Sequence, residues 1–218
     1  MESDDAKLDV EKPVLGAKAR KTDRRTLYTV QVVKDALLEL MQEMPFDKVS
    51  VSRLCVQAEI SRTSFYAHFA SMTEVLNAVI DDALLFSQQS GTAQEGLRAL
   101  IAHGTLDDVR AHETMLPACQ RIADSEKYRH LFADPGLSDY IVSRIARRVR
   151  DDMVPQIVRQ TGVSPDEAEM ILQFMLYGSY HVNQQLGWNK NDEWFRFQRL
   201  LSIFTTGGYD AVREAPKL

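Results

Sequence analysis

Apolar positions recur with a helical period along most of the chain, and the first clear stripe is Val30, Val33, Leu37, Leu40, Met41 and Met44. It predicts a helix over about residues 23–44, stopped by Pro45. A short link anchored by Phe46 and Val49 follows. Ser50 then precedes Val51, Leu54, Cys55 and Ala58, the i, i+3, i+4, i+7 spacing of one helical face with a capping residue ahead of it. Ser61 can cap the next helix, in which Phe65 and Phe69 point inward together. That leaves Arg62, Thr63 and Ser64 on an exposed first turn, with Tyr66 and His68 on the flanks. Ser71 and Glu74 have capping-box spacing and open a long helix carrying Val75, Leu76, Val79 and Ile80. Two short helices joined by a tight turn, the second with a polar first turn, is how a helix-turn-helix reads.

Beyond it, Gly91 and Gly96 break the pattern, and Leu97, Leu100 and Ile101 predict a helix ended by Gly104. Residues 106–123 have helical composition interrupted by Pro117, residues 125–131 suit a short helix, and Asp134-Pro135-Gly136 reads as a turn. Residues 137–160 are helical again, with Pro155 as a kink or early stop and Gly162 as a C-cap. Ser164-Pro165-Asp166-Glu167 combines an N-cap, a proline at the first helical position and a capping box. The helix it opens should run to about residue 186, where Gly187 ends it, with Ala168, Ile171, Leu172, Met175, Val182 and Leu186 on one face. Asn191 caps a last helix holding Trp194, Phe195, Phe197, Leu200, Leu201, Ile203 and Phe204, with Gly207-Gly208 as its end. No strand-like alternation or internal repeat is evident. The fold class is all-α: a three-helix N-terminal domain joined through a long fourth helix to a C-terminal helical domain. The expected divisions are a disordered arm over 1–22, a helix-turn-helix domain over 23–70 and a second domain over 71–210.

Composition refines this outline. The net charge is −5, but residues 18–69 carry nine basic and six acidic side chains, and only this segment is net positive. A local basic face on an acidic protein suffices for phosphate attraction. Lys18, Arg20, Lys21, Arg24 and Arg25 cluster just before the first helix, where phosphate or minor-groove contact competes with a solvated charge run. Two distant cysteines, Cys55 and Cys119, have no metal-ligand spacing, and buried thiols in a reducing cytosol are the simplest account. No apolar run approaches the ~18 residues of a membrane span, and the polar, acidic first residues do not suit a secretory signal, so a cytoplasmic location is expected. Five histidines form no H-E-x-x-H, and there is no glycine-rich phosphate loop and no G-x-S-x-G. Neither catalytic nor metal-binding residues are assigned, no cofactor is expected, and an enzyme is the weakest reading.

The residues Phe46-x-Lys48-Val49-Ser50-Val51, Leu54, Ala58, Ile60-Ser61 and Ser64-Phe65-Tyr66-x-His68-Phe69 resemble the DNA-binding domain of TetR/AcrR-type transcriptional regulators. The resemblance covers about residues 24–85. Two positions depart from the family pattern: Glu59 stands where glycine is usual in the turn, and Met72 where a lysine is usual. The resemblance implies a homodimer on a near-palindromic operator, most often a repressor. It also implies a small-molecule cavity among the C-terminal helices whose filling moves the fourth helix.

On the recognition helix, Arg62 is the base-reading candidate, because its fork fits a guanine edge. Thr63 and Ser64 are small enough for close approach, and Tyr66 and His68 suit phosphate oxygens. Ser50 and Ser52, at a helix N-terminus, can meet phosphate as well, with Lys21, Arg24 and Arg25 completing the DNA-binding set. Candidates to line an effector pocket are Phe86, Met115, Cys119, Tyr128, Phe132, Tyr140, Phe174, Tyr177 and His181, although each taken alone reads as core before it reads as pocket lining. The last two helices are apolar over more than one face, which means either burial in the chain's own core or a four-helix dimer bundle. The dimer reading places Ile171, Met175, Val182, Phe197, Leu201 and Phe204 at the interface. The competing function is an adaptor with the same fold that acts through a protein partner without an effector.

Overall fold

The computed structural model describes residues 17–88, 105–111 and 126–215; within these, side chains are described except at 17–23, 85–88, 106 and 109. All regular elements among the described residues are helical. The first helix, α1 (Ala17–Glu43), has no glycine or proline inside it, and buries Val33, Ala36, Leu37, Leu40 and Met41 on one face. It starts six residues before the Asp23 expected from the sequence. Alanine, lysine and arginine over 17–21 are all strong helix formers, so the basic cluster is helical rather than part of an arm.

A 3₁₀ turn over Phe46–Lys48 leads into α2 (Val51–Gln57), where the Arg53 N–H donates to the Ser50 hydroxyl at 3.3 Å. The second short helix, α3 (Arg62–Tyr66), is capped in the same way, Ser64 N–H to Ser61 hydroxyl at 3.0 Å. Before α4 (Met72–Gln88), the Glu74 N–H donates to Ser71 at 3.2 Å. The Glu74 carboxylate reaches back to the Ala70 N–H at 2.7 Å, one residue earlier than in a standard capping box. Phe65 and Phe69 are buried with ring centroids 6.0 Å apart, and α4 covers them with Val75, Leu76, Val79 and Ile80.

The C-terminal part comprises α5 (Leu106–Ala111), α6 (Glu126–Ala133), a 3₁₀ turn over Pro135–Leu137, α7 (Ser138–Thr161), α8 (Pro165–Gln185) and α9 (Asp192–Glu214). The Ser164 capping box forms with both reciprocal bonds. Pro155 does not stop its helix early, and one expected stop is overridden. α7 continues through Pro155 to Thr161, where Gly162 at φ +76° caps it. Gly207-Gly208 lie inside α9 rather than ending it; Tyr209, one residue on, packs against the core and donates its hydroxyl to the Met175 sulfur at 3.1 Å. Tertiary anchorage there outweighs the ~1 kcal/mol that each helical glycine costs.

One apolar core runs from α1 through α4 into α6–α9. Polar contacts cross the same seam. Lys34 pairs with Asp82 at 2.5 Å, Lys127 with Asp35 at 2.6 Å and Arg144 with Asp81 at 2.6 Å. Burial pushes the Asp35 carboxyl up, but the hydrogen bonds from Lys127 and Gln31 and the charges of Lys127 and Lys34 together more than offset it and leave it below its ordinary range. Among the described residues no helix is long and apolar enough to cross a membrane.

Candidate nucleic-acid interface

The sequence folds the reading surface from the inside out. Phe65 is fully buried, which fixes α3 on the domain and leaves Arg62, Thr63 and Tyr66 exposed, with Ser64 half-buried between them. Tyr66 is 58% exposed and meets the edge of Phe65 with centroids 5.2 Å apart, so its base is packed and its hydroxyl faces outward. His68 is half-buried at the end of the helix.

Arg62 is not free. Its guanidinium donates to the Ser52 hydroxyl on α2, which brings two of the DNA-binding candidates together across the turn. Ser50 is exposed and its oxygen caps α2, with the hydroxyl proton left to donate. Arg24 and Arg25 are exposed on the first turns of α1, while the Lys21 side chain lies outside the described residues. Arg53, on α2, donates to the Met44 sulfur beyond the C-terminus of α1, at 3.0 Å. Cys55 lies directly beneath; burial raises its thiol pKa despite the nearby Arg62 charge, so it behaves as a core residue.

The two departures from the TetR pattern have structural counterparts. Glu59 sits at φ +52°, the left-handed conformation that favours glycine, with its side chain exposed. Met72 is half-buried and packed on the core, so it serves the hydrophobic interior where a lysine would reach outward.

Among the described residues, the pocket candidates do not line one cavity. Tyr128 and Phe132 are buried in the core, and Tyr140 is half-buried with its hydroxyl donating to Asn77 at 2.5 Å. Phe174, Tyr177 and His181 are exposed on α8. Met115, Cys119 and the Phe86 side chain lie outside the described residues. Of the dimer candidates, Ile171, Met175, Val182, Phe197 and Leu201 are half-buried within the chain and Phe204 is 68% exposed. The outward apolar stripe is rotated one position: Met170, Phe174 and Tyr177 on α8, Leu200, Ile203 and Phe204 on α9. Period alone does not choose between adjacent registers when both are apolar, and that is why the expected interface set lacks Met170, Leu200 and Ile203.

A further residue escaped the sequence reading. Asp134, read as part of a turn, is buried and accepts the N–H groups of Gly136 and Phe46, each at 2.9 Å. The second bond ties the C-terminal part to the link that enters the helix-turn-helix, and nothing in the local pattern announces it.

Residues 34–79 match the family model of bacterial regulatory proteins of the tetR family. Among curated proteins, none matches the chain.

Proposed function

We propose, from the premise that this chain is a tetR-family DNA-binding transcriptional regulator with an N-terminal helix-turn-helix, that it is a homodimeric repressor released by a small-molecule effector. The observation that carries the DNA-reading part is α3 itself: a helix locked by buried Phe65 that presents Arg62, Thr63 and Tyr66 to solvent. Its first turn is short and polar enough to enter a major groove, and Arg62 suits a guanine edge once it exchanges Ser52 for a base. The exposed stripe on α8 and α9 supports the dimer, since Phe174 and Phe204 are 70% and 68% exposed and a second copy supplies matching cover. The pairs that join α7 to α4, Arg144–Asp81 and Tyr140–Asn77, support a route from the C-terminal part to the reading head.

Selection of bound duplexes from a random pool, followed by anisotropy titration, tests the reading. A near-palindrome with half-sites about one turn apart, ~34–36 Å, is expected, with affinity falling steeply in salt. Arg62→Ala should lose about 1–3 kcal/mol of discrimination at one position per half-site. Unchanged preference removes Arg62 as a base reader. The double variant Phe174→Glu, Phe204→Glu should sediment as a folded monomer and bind single half-sites about as weakly as non-specific DNA. A dimer that survives both charges places the interface elsewhere.

A further inference from the structure

α7 and α8 run antiparallel, and an open groove of about 300 Å³ lies between them. Leu172 and Ala146 give it an apolar lining, Ser143 and Arg147 face it from α7, and Gln173 and Tyr177 from α8. The Arg150–Glu169 ion pair, at 2.8 Å, closes one end. Such a volume is at the lower bound of small-molecule sites and equals the liquid share of about ten waters.

We propose that this groove binds a small amphipathic carboxylate, with Arg147 as its anchor. The pairing of the neighbouring arginines points there. Arg144 and Arg150, one turn to either side on α7, are held by Asp81 and Glu169. Arg147, between them, is exposed and has no hydrogen-bond or ion-pair partner among the described residues, and neither the Gln173 amide nor the Tyr177 hydroxyl has one. Glu169 is paired with Arg150 rather than Arg147: two Arg150 N–H groups donate to its Oε2, at 3.0 and 2.8 Å, and that hydrogen bonding holds the carboxyl below the usual range. The groove therefore offers one uncommitted cation, two uncommitted donors and an apolar lining. A guanidinium fork matches a carboxylate in two parallel bonds, Tyr177 and Gln173 can donate to its oxygens, and Leu172 and Ala146 receive an apolar body. A bare inorganic anion would leave the apolar lining unused.

The site deepens the regulator reading and, for its effect on DNA, rests on it. α7 carries Arg147 one turn from Arg144, which grips Asp81 on α4. Tyr177 belongs both to the groove and to the exposed stripe. Occupancy thus touches the α4 contact and the rim of the proposed dimer face together.

Titration calorimetry on the full chain with phenylacetate and hexanoate, each beside its neutral amide, tests the proposal. The acids should bind and the amides should not. Arg147→Gln should weaken acid binding by about tenfold or more, the equivalent of one charge-assisted hydrogen bond, while Arg159→Gln, exposed on the same helix, should leave it unchanged. Equal binding of acid and amide, no binding of either acid, or an unaffected Arg147→Gln variant overturns the proposal. If a second copy occupies the groove, the acids fail and Arg147→Gln shifts the monomer–dimer equilibrium instead, which also overturns it. Phenylacetate should lower affinity for the selected operator. Acid binding by a chain that shows no DNA binding would sink the regulator reading and leave the site standing; DNA binding without acid binding does the reverse.

Discussion

The C-termini of α2 and α8 meet the same geometric problem with different residues. Each closes with a 6→1 backbone bond, Ile60 N–H to Cys55 carbonyl and Trp188 N–H to Asn183 carbonyl, both at 3.0 Å. Both need left-handed residues. In the reading head that residue is Glu59 at φ +52°, exposed and held by little beyond the helices it joins. In the C-terminal bundle it is Gly187 followed by Trp188 at φ +53°, with the indole fully buried. A bulky side chain at positive φ is a true outlier, and it persists because tertiary packing over-determines it. Trp188 lies against Phe132 and Tyr180, with centroids 5.9 and 5.5 Å away. The head is built from local rules, each short helix capped by the serine before it. The bundle is built from contacts between residues far apart in the chain.

The hub of the second strategy is Asn183. Its carbonyl oxygen accepts the Trp194 indole N–H at 2.7 Å and the Gln198 amide at 2.9 Å, and its own amide donates to the Ser179 carbonyl. Asn183→Ala orphans two buried donors and should destabilise the chain by about 2–5 kcal/mol in chemical denaturation. If the bundle is the more tightly coupled region, near-ultraviolet dichroism from Trp188 and Trp194 should collapse while hydrogen exchange in α2 and α3 stays slow. Loss of protection in both regions at once would erase the contrast.

That contrast also explains what was legible. The stripes of α1, α2 and α4 and the inward pair Phe65 and Phe69 follow from period and caps alone, because each signal lies within a turn or two of the residue it places. The Ser164 start was readable for the same reason. The extension of α9 past Gly207-Gly208 was not, since it rests on Tyr209 meeting Met175, 34 residues earlier. Among site residues, the exposed first turn of α3 was visible in the pattern. The Arg62–Ser52 bond, the rotated apolar stripe and the scatter of the pocket candidates were not, because they depend on the angles at which helices meet.

Asp134 is where the two regions touch through a single polar group. Asp134→Asn keeps the shape, but its one carbonyl oxygen cannot serve both the Phe46 and the Gly136 N–H. A loss of about 1–3 kcal/mol is expected. Exchange should speed up at the amides of residues 46–49, with α8 and α9 unaffected. An unchanged head would mean the regions communicate through α4 or the Lys127–Asp35 pair and not through this carboxylate.

The smallest effect has the opposite sign. Glu59→Gly removes a left-handed residue that costs about 1–2 kcal/mol, while glycine adds about 0.5–1 kcal/mol of unfolded-chain entropy to be lost on folding. A net gain of about 0.5 kcal/mol should appear as a small rise in Tm. At the other turn the position that matches Glu59 is already Gly187; a change one residue on, Trp188→Gly, also relieves a positive φ, yet it empties a fully buried indole site and should cost about 3–5 kcal/mol or more. Two substitutions that each relieve a φ near +50° should therefore move stability in opposite directions. If both stabilise, the packing of Trp188 does not hold its backbone, and the distinction between a locally built head and a globally built bundle fails at the turn that best displays it.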